Sequence, residues 1–420
     1  MTVPVPAPAQ RIRYVAPDIA RGMALLGIAL ANLPTAWAAA EGARSASYFG
    51  GIYGDATVFE QIAVVFHAMF VHVRGLPMFT TLLGFGIGLI TMSLWRRGFP
   101  PGDAKRVLLK RYGILALIGV GHLVFVFFGD IILQYSLVAL VVILMLTLRD
   151  RTIMIIAWVL LGLNVVFYTA VGVVLMLVPG AGDFDMSPGQ FLEPSDSYLG
   201  YLGVNAVAGL AALASFPILF LMLGPLVMIG FVWARRGVLI DAPAHRTLLR
   251  TWVAIGAFVV LAVGLPWGLS AIGVLPESWE TPFTMINTGL GLLTGPAALA
   301  LVALLFPGTV DKLKPWWRAF VALGQRSMSG YILQSLLFLA ITQPFTLGWG
   351  SEAGILPQMG LAFGVWLTTL LWAYVWDLLG WPGPVEWAHR RLSYGREGLP
   401  AVYPVSPPAV GTREDRGQGQ

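Results

Sequence analysis

The chain has 420 residues, 57% of them hydrophobic and only 11% charged, with a mean hydropathy of +0.77. A soluble domain is about 25% charged, so water cannot be the solvent for most of this surface; the net charge of +5 does not make it a nucleic-acid binder either, because its basic residues are dealt out between apolar runs rather than gathered on one domain. The lack of cysteine excludes disulfides, thiolate nucleophiles and sulfur-held metal centres, and the five histidines fall at no metal-site spacing.

Crossing the hydrocarbon core takes roughly 20 mostly apolar residues. In chain order the qualifying runs are 19–38, 76–95, 112–128, 131–148, 153–177, 204–234, 252–274, 283–306, 321–346 and 356–379. Loop-forming stretches separate them, such as Gly98-Phe99-Pro100-Pro101-Gly102 and the acidic stretch 179–197. The expected fold class is all-α, a polytopic transmembrane bundle of about ten spanning helices. Residues 1–17 and 395–420 read as disordered ends of a single transmembrane domain, 18–394.

Charge orients the bundle. With the N-terminus in the cytoplasm, all 26 basic residues except Arg44 and Arg74 fall in cytoplasmic segments, while Asp183, Asp185, Glu193, Asp196, Glu277, Glu280 and Glu352 fall opposite. One span more or fewer would destroy this alternation, so both termini are expected in the cytoplasm. The run 59–73 is apolar but short, carries His67 and His72, and would break the alternation by crossing; it reads as an interfacial or re-entrant helix on the outer side. Arg11, Arg13, the first apolar run and Ala36-Trp37-Ala38 imitate a signal peptide, but Asp18 and Arg21 favour retention.

Ionisable groups in a bilayer cost about 2.5–3.5 kcal/mol each, so each needs a reason. Asp18 and Arg21 stand three apart on one helical face and either neutralise each other or handle an anion at the inner leaflet. Asn32 lies about three turns beyond Arg21 and points the same way. His122 is either a packing histidine or a general base. Asp130, eight residues on, is either its partner or the N-cap of the next helix, and Gln134 and Tyr135 extend that polar patch. In the ninth run Ser327, Tyr331, Gln334 and Ser335 make a dense polar face that packs on helices or lines a cavity. Gly84 with Gly88, and Gly291 with Gly295, have the spacing that lets helices approach closely. Glu386 and Arg390 read as an i, i+4 pair on a Trp-rich surface helix.

These residues resemble the YeiB family, also called the DUF418 family of bacterial inner-membrane proteins. The resemblance rests on Asp18-Ile19-Ala20-Arg21-Gly22 with Asn32, Phe85-Gly86-Ile87-Gly88, the run from Gly121-His122 to Gly129-Asp130-Ile131, and Gly330-Tyr331-Ile332-Leu333-Gln334-Ser335 followed by Gly383-Pro384-Val385-Glu386-Trp387. It covers about 11–394, with its characteristic C-terminal part about 235–394, and implies a bacterial cytoplasmic membrane. The chain departs from the family where many members read Gly-Arg-Met and then Thr-Asn-Tyr: Gln325, Arg326 and Ser329-Gly330 stand here. The Asp-x-x-Arg-Gly opening is also similar to that of transmembrane acyltransferases, which commonly place a His downstream where this chain has Asn32.

The resemblance implies acyl transfer from a cytoplasmic donor to an envelope or extracytoplasmic acceptor, a glycan or a lipid. Arg21 would then hold the anionic group of the donor, with acyl-CoA a candidate donor substrate and no bound cofactor or metal expected. His122 would serve as general base with Asp130, and Asp18, Asn32, Gln134, Tyr135, Tyr331 and Gln334 would line the path. The rival is a transporter or exporter of a small or amphipathic solute, for which the same residues form a midplane site; its candidate helix interruptions, Pro217, Pro225 and Pro266, are not matched in the first half of the chain. A scaffold without turnover is the third reading. Expected partners are membrane lipids, and no nucleic acid.

Overall fold

A computed structural model describes residues 14–40, 42–178, 180, 195–310, 313–350 and 352–403. The expected N-terminal segment before residue 14, most of the acidic stretch after residue 178, Lys312 and the tail beyond residue 403 lie outside the described residues. Among the described residues the architecture is all-helical, with two isolated β-bridges.

The chain opens with α1 (Ala16–Asn32), which passes through a π turn at Leu33–Trp37 where Pro34 withholds a donor. A short outer loop leads to α2 (Val58–Phe70), started by a capping box between Thr57 and Glu60. The chain kinks at 71–74, with Val73 at φ 57°, and continues as α3 (Gly75–Arg96). Then follow α4 (Pro101–Phe125), α5 (Ile131–Leu144), α6 (Asp150–Leu177), α7 (Tyr198–Ala214) and α8 (Phe216–Arg235). A run of α9 (Arg246–Val259), a π turn and α10 (Leu265–Ala271) precedes α11 (Glu280–Leu290) and α12 (Thr294–Leu305). The last helices are α13 (Pro315–Gln325), α14 (Ser327–Thr342), α15 (Ile355–Leu378) and the short α16 (Pro384–Tyr394).

Among the described residues eight helical runs are long and apolar enough to cross a membrane, and α5, α7 and α14 are shorter apolar helices. α5 and α14 occupy the expected fourth and ninth spans. The expected sixth span, 204–234, is two helices: the chain turns at Ser215, ahead of Pro217, whose ring and missing N–H start α8 rather than continue α7. The ninth, 321–346, is likewise divided at Arg326.

α8 is the centre of the bundle, buried without interruption from Leu223 to Ala234. Glycines make its approach to α3 close enough for backbone to touch backbone: a Cβ on Gly84 would strike the Val227 carbonyl, and one on Gly230 the Thr81 carbonyl. Gly88 faces Phe231 and Ala234, while Gly295 meets Pro77 of α3, so both expected glycine pairs sit at helix contacts. Outward faces of α6 and α15 expose Val166, Phe167, Phe363 and Leu371, as a lipid-facing surface requires. The basic turns gather at one end, where Arg235 pairs with Asp150 at 2.9 Å and lies over Trp95.

α2 runs antiparallel along α10, with Val65 against Gly268 and Met69 against Gly264. After the bend at 71–74 it is followed directly by α3, the two forming one apolar helical run, Val58–Arg96. Arg74 ends α2 by donating to the carbonyls of Met69 and Val73 and to Asn287 Oδ1.

α7 lies across the end of α4. Gly209 packs on Leu123, and three side chains of α7 reach the carbonyls that follow it. Tyr198 donates to the Phe125 carbonyl, Tyr201 to Val126 and Asn205 to Val124. These are the orphan acceptors of the α4 C-terminus, which α7 caps in place of solvent.

Candidate functional site

A cavity of about 360 Å³ lies among α1, α3, α4, α5, the α13–α14 junction and α16. Its basic-end mouth is polar, with Asp18, Arg21, Arg111, Glu386 and His389. Its walls are apolar, with Leu25, Phe79, Leu82, Leu83, Leu89, Ile90 and Leu115, and its deep end is closed by Ile131, Ile132, Tyr135 and Tyr331. The lining thus combines charged groups with an apolar wall.

The mouth is built by distant segments. Asp18 and Arg21 pair at 3.0 Å across one turn of α1, and Gly86 of α3 leaves room for the Arg21 head, whose nearest nitrogen would be 3.7 Å from a Cβ there. Glu386 does not pair with Arg390 as its spacing suggested; its carboxylate turns inward and takes the Met328 and Ser329 amides and the Ser329 hydroxyl. Free amides at the positive start of α14 compete for a carboxylate better than an exposed arginine does. His389, 1% exposed, puts Nε2 2.9 Å from the Arg111 carbonyl. Burial first, then the Arg111 charge, pushes its pKa down to about 4, so the ring is neutral near pH 7. Arg111 donates from Nη1 to the Tyr394 hydroxyl at 3.0 Å.

Behind the deep wall lies a buried pair. His122 Nδ1 stands 2.7 Å from Asp130 Oδ1, and Asp130 Oδ2 accepts from the Leu133 amide at 2.6 Å. Asp130 is thus both N-cap and histidine partner, uniting the two alternatives for that residue. His122 Nε2 is buried without a partner. Tyr331 joins the pair to the cavity: its ring centroid is 5.2 Å from that of His122, and its hydroxyl accepts from Ile131 N at 3.4 Å while facing the cavity.

Of the residues expected to share one path, Asp18, Arg21, Tyr135 and Tyr331 line the cavity, and His122 and Asp130 lie directly behind it. Tyr135 donates to the Leu76 carbonyl and accepts from Thr80. Asn32 ends α1, half-buried, outside the lining, and Gln134 is half-buried on α5, also outside. Gln334 donates to Thr369 at 3.3 Å and belongs to the α14–α15 packing. Arg111 and His389 had no sequence signal beyond their charge: their partners lie far along the chain.

Fold and cavity together define a multi-pass α-helical membrane protein with an internal amphipathic site. Residues 233–396 match the family described as "Protein of unknown function (DUF418)". Over 415 residues, 94% of this chain and 99% of the relative, it is 27% identical to the uncharacterized protein YeiB of Escherichia coli (strain K12). It is 22% identical to the uncharacterized protein YxaH of Bacillus subtilis (strain 168), over 90% of this chain and 93% of that one. No solved structure matches. The chain is thus similar to the DUF418 family through its C-terminal part and to YeiB and YxaH along nearly its whole length.

Proposed function

We propose that this protein is a membrane acyltransferase whose donor enters the cavity from the basic end, on the cytoplasmic side of a bacterial inner membrane, and whose acceptor is an envelope glycan or lipid. The observation that carries the reading is a cavity with cations at its mouth, hydrocarbon walls and a histidine–aspartate pair behind its far wall. In the reaction an acceptor hydroxyl oxygen attacks the donor's acyl carbonyl, acyl-CoA being the simplest donor. Its proton passes to His122 Nε2, held in the right tautomer by Asp130 on Nδ1. The C–O ester bond forms, the C–S bond breaks, and the proton leaves on the thiol. Access to Nε2 requires the Tyr331 ring to swing aside, which makes Tyr331 the divider between donor and acceptor compartments.

The test is transfer of labelled acyl groups from acyl-CoA to envelope lipids or glycans by purified protein in nanodiscs. Transfer that disappears in His122→Gln supports the reading; absence of both transfer and donor binding overturns it. One observation favours a transporter instead: the break between α13 and α14 at Arg326 falls at the cavity, with Gln325 and Ser327 in its lining, and interrupted helices at a central site are a transporter trait. Counterflow of an unmodified amphiphile would select that alternative.

A further inference from the structure

The cation at the cavity mouth that has no counter-charge is Arg111. The two carboxylates in the lining are committed elsewhere: Asp18 pairs with Arg21 at 3.0 Å, and Glu386 is held by two amides and a hydroxyl at the start of α14. Among the described residues no carboxylate pairs with Arg111. Its side chain has a neutral phenol as hydrogen-bond partner, that of Tyr394, whose ring also lies 5.4 Å beneath the guanidinium. Its Nε is buried and unpartnered. The residue is half-buried, so part of the guanidinium is open to the cavity, where its remaining donors and charge can meet an anion, and its planar fork suits phosphate oxygens. Below it the walls turn apolar at once, through Leu115, Leu89 and Ile90.

We infer that Arg111, rather than Arg21, anchors the head of the cavity's ligand, and that this ligand joins a phosphate to a single acyl chain. The volume of about 360 Å³ is at the small end of ligand sites, which suits one chain and not two. Arg21, already neutralised by Asp18, serves as the neighbouring wall. The inference deepens the acyl-donor reading by naming the head that the donor presents, yet binding stands or falls separately from turnover.

The experiment measures binding to the full-length protein in nanodiscs of zwitterionic lipid. Probes are a lysophosphatidic acid, an acyl-CoA, the monoacylglycerol of the same chain, and inorganic phosphate alone. The two phosphate-bearing chains are expected to bind at least about tenfold more tightly than the monoacylglycerol, and Arg111→Gln to erase that difference, with Arg111→Lys intermediate. Arg390→Gln, on the exposed face of α16, should leave it intact. Preference for lysophosphatidic acid over acyl-CoA, or the reverse, identifies the source of the phosphate. Equal binding of phosphate-bearing and neutral chains overturns the inference even if Arg111→Gln fails to fold. So does a folded Arg111→Gln that keeps the preference, or inorganic phosphate that competes as well as the amphiphiles. Tight, Arg111-dependent binding without any transfer would leave the site standing and remove the enzyme.

Discussion

Asp130 divides its carboxylate between His122 and the first turn of α5, one oxygen 2.7 Å from Nδ1 and the other 2.6 Å from the Leu133 amide. The two roles separate by substitution. Asp130→Asn keeps an N-capping side chain and should cost under about 1 kcal/mol in thermal unfolding, whereas Asp130→Ala loses the cap and strands a buried histidine, for about 2–4 kcal/mol. Both should lower acyl transfer roughly 100-fold or more, as should His122→Gln, because the general base loses its orientation or its ring. Full transfer by Asp130→Asn would reduce the pair to a structural clip.

His389 makes stability depend on pH. Its folded pKa is near 4, below the ordinary 6.5, so the folded state binds fewer protons than the unfolded one between those values. Its share of stability is whole above pH 6.5 and falls by about 1.4 kcal/mol per unit as pH drops toward about 4. Melting curves of wild type and His389→Gln in detergent, compared at each pH, should converge on acidification through that window. A difference that does not change with pH would contradict the buried neutral ring.

Glu386 joins α16 to the start of α14 through three hydrogen bonds. Glu386→Ala should lower stability by about 2–3 kcal/mol, since it strands two amides and a hydroxyl, and Arg390→Ala should be near neutral. Chemical denaturation in mixed micelles reads both. Equal effects would restore the helical pair that the sequence spacing suggested.

The α3–α8 contact has no room for a methyl group. Gly230→Ala and Gly84→Ala should each cost about 1–3 kcal/mol or more by forcing the helices apart. Gly360→Ala on the exposed face of α15, where a Cβ meets nothing within 4 Å, should be silent or slightly stabilising. Expression yield with thermal unfolding distinguishes them, and a tolerated Gly230→Ala would mean that α8 packs more loosely than described.

Reporter fusions at the Arg96–Arg97 and Arg235–Arg236 turns should fall on the same, cytoplasmic side, and a fusion before Thr57 on the other. Opposite results for the two arginine turns would break the proposed orientation.

Much of this was legible in the chain because hydropathy and charge are local. α3, α6 and α15 begin and end within a few residues of the expected runs, since Arg96, Asp150 and Gly354 mark where apolar sequence stops. Asp18–Arg21 and His122–Asp130 were readable for the same reason: each partner lies within eight residues of the other. What was not legible depends on packing. Arg111 meets Tyr394 across 283 positions. Glu386 chooses the start of α14 over Arg390, an outcome set by where two helices end. The bends at Ser215 and Arg326 interrupt runs whose hydropathy is continuous, and the seating of α2 depends on Gly264 and Gly268, which carry no apolar signal.

The α4–α5 turn has a bearing on how the protein is made. Its carbonyls are satisfied by α7, and Tyr198 leaves the ribosome 73 residues after the Phe125 carbonyl it serves. Until then those carbonyls are left to water or lipid headgroups at the end of the hairpin. The α4–α5 pair is therefore expected to take its final cap only after α7 has been made.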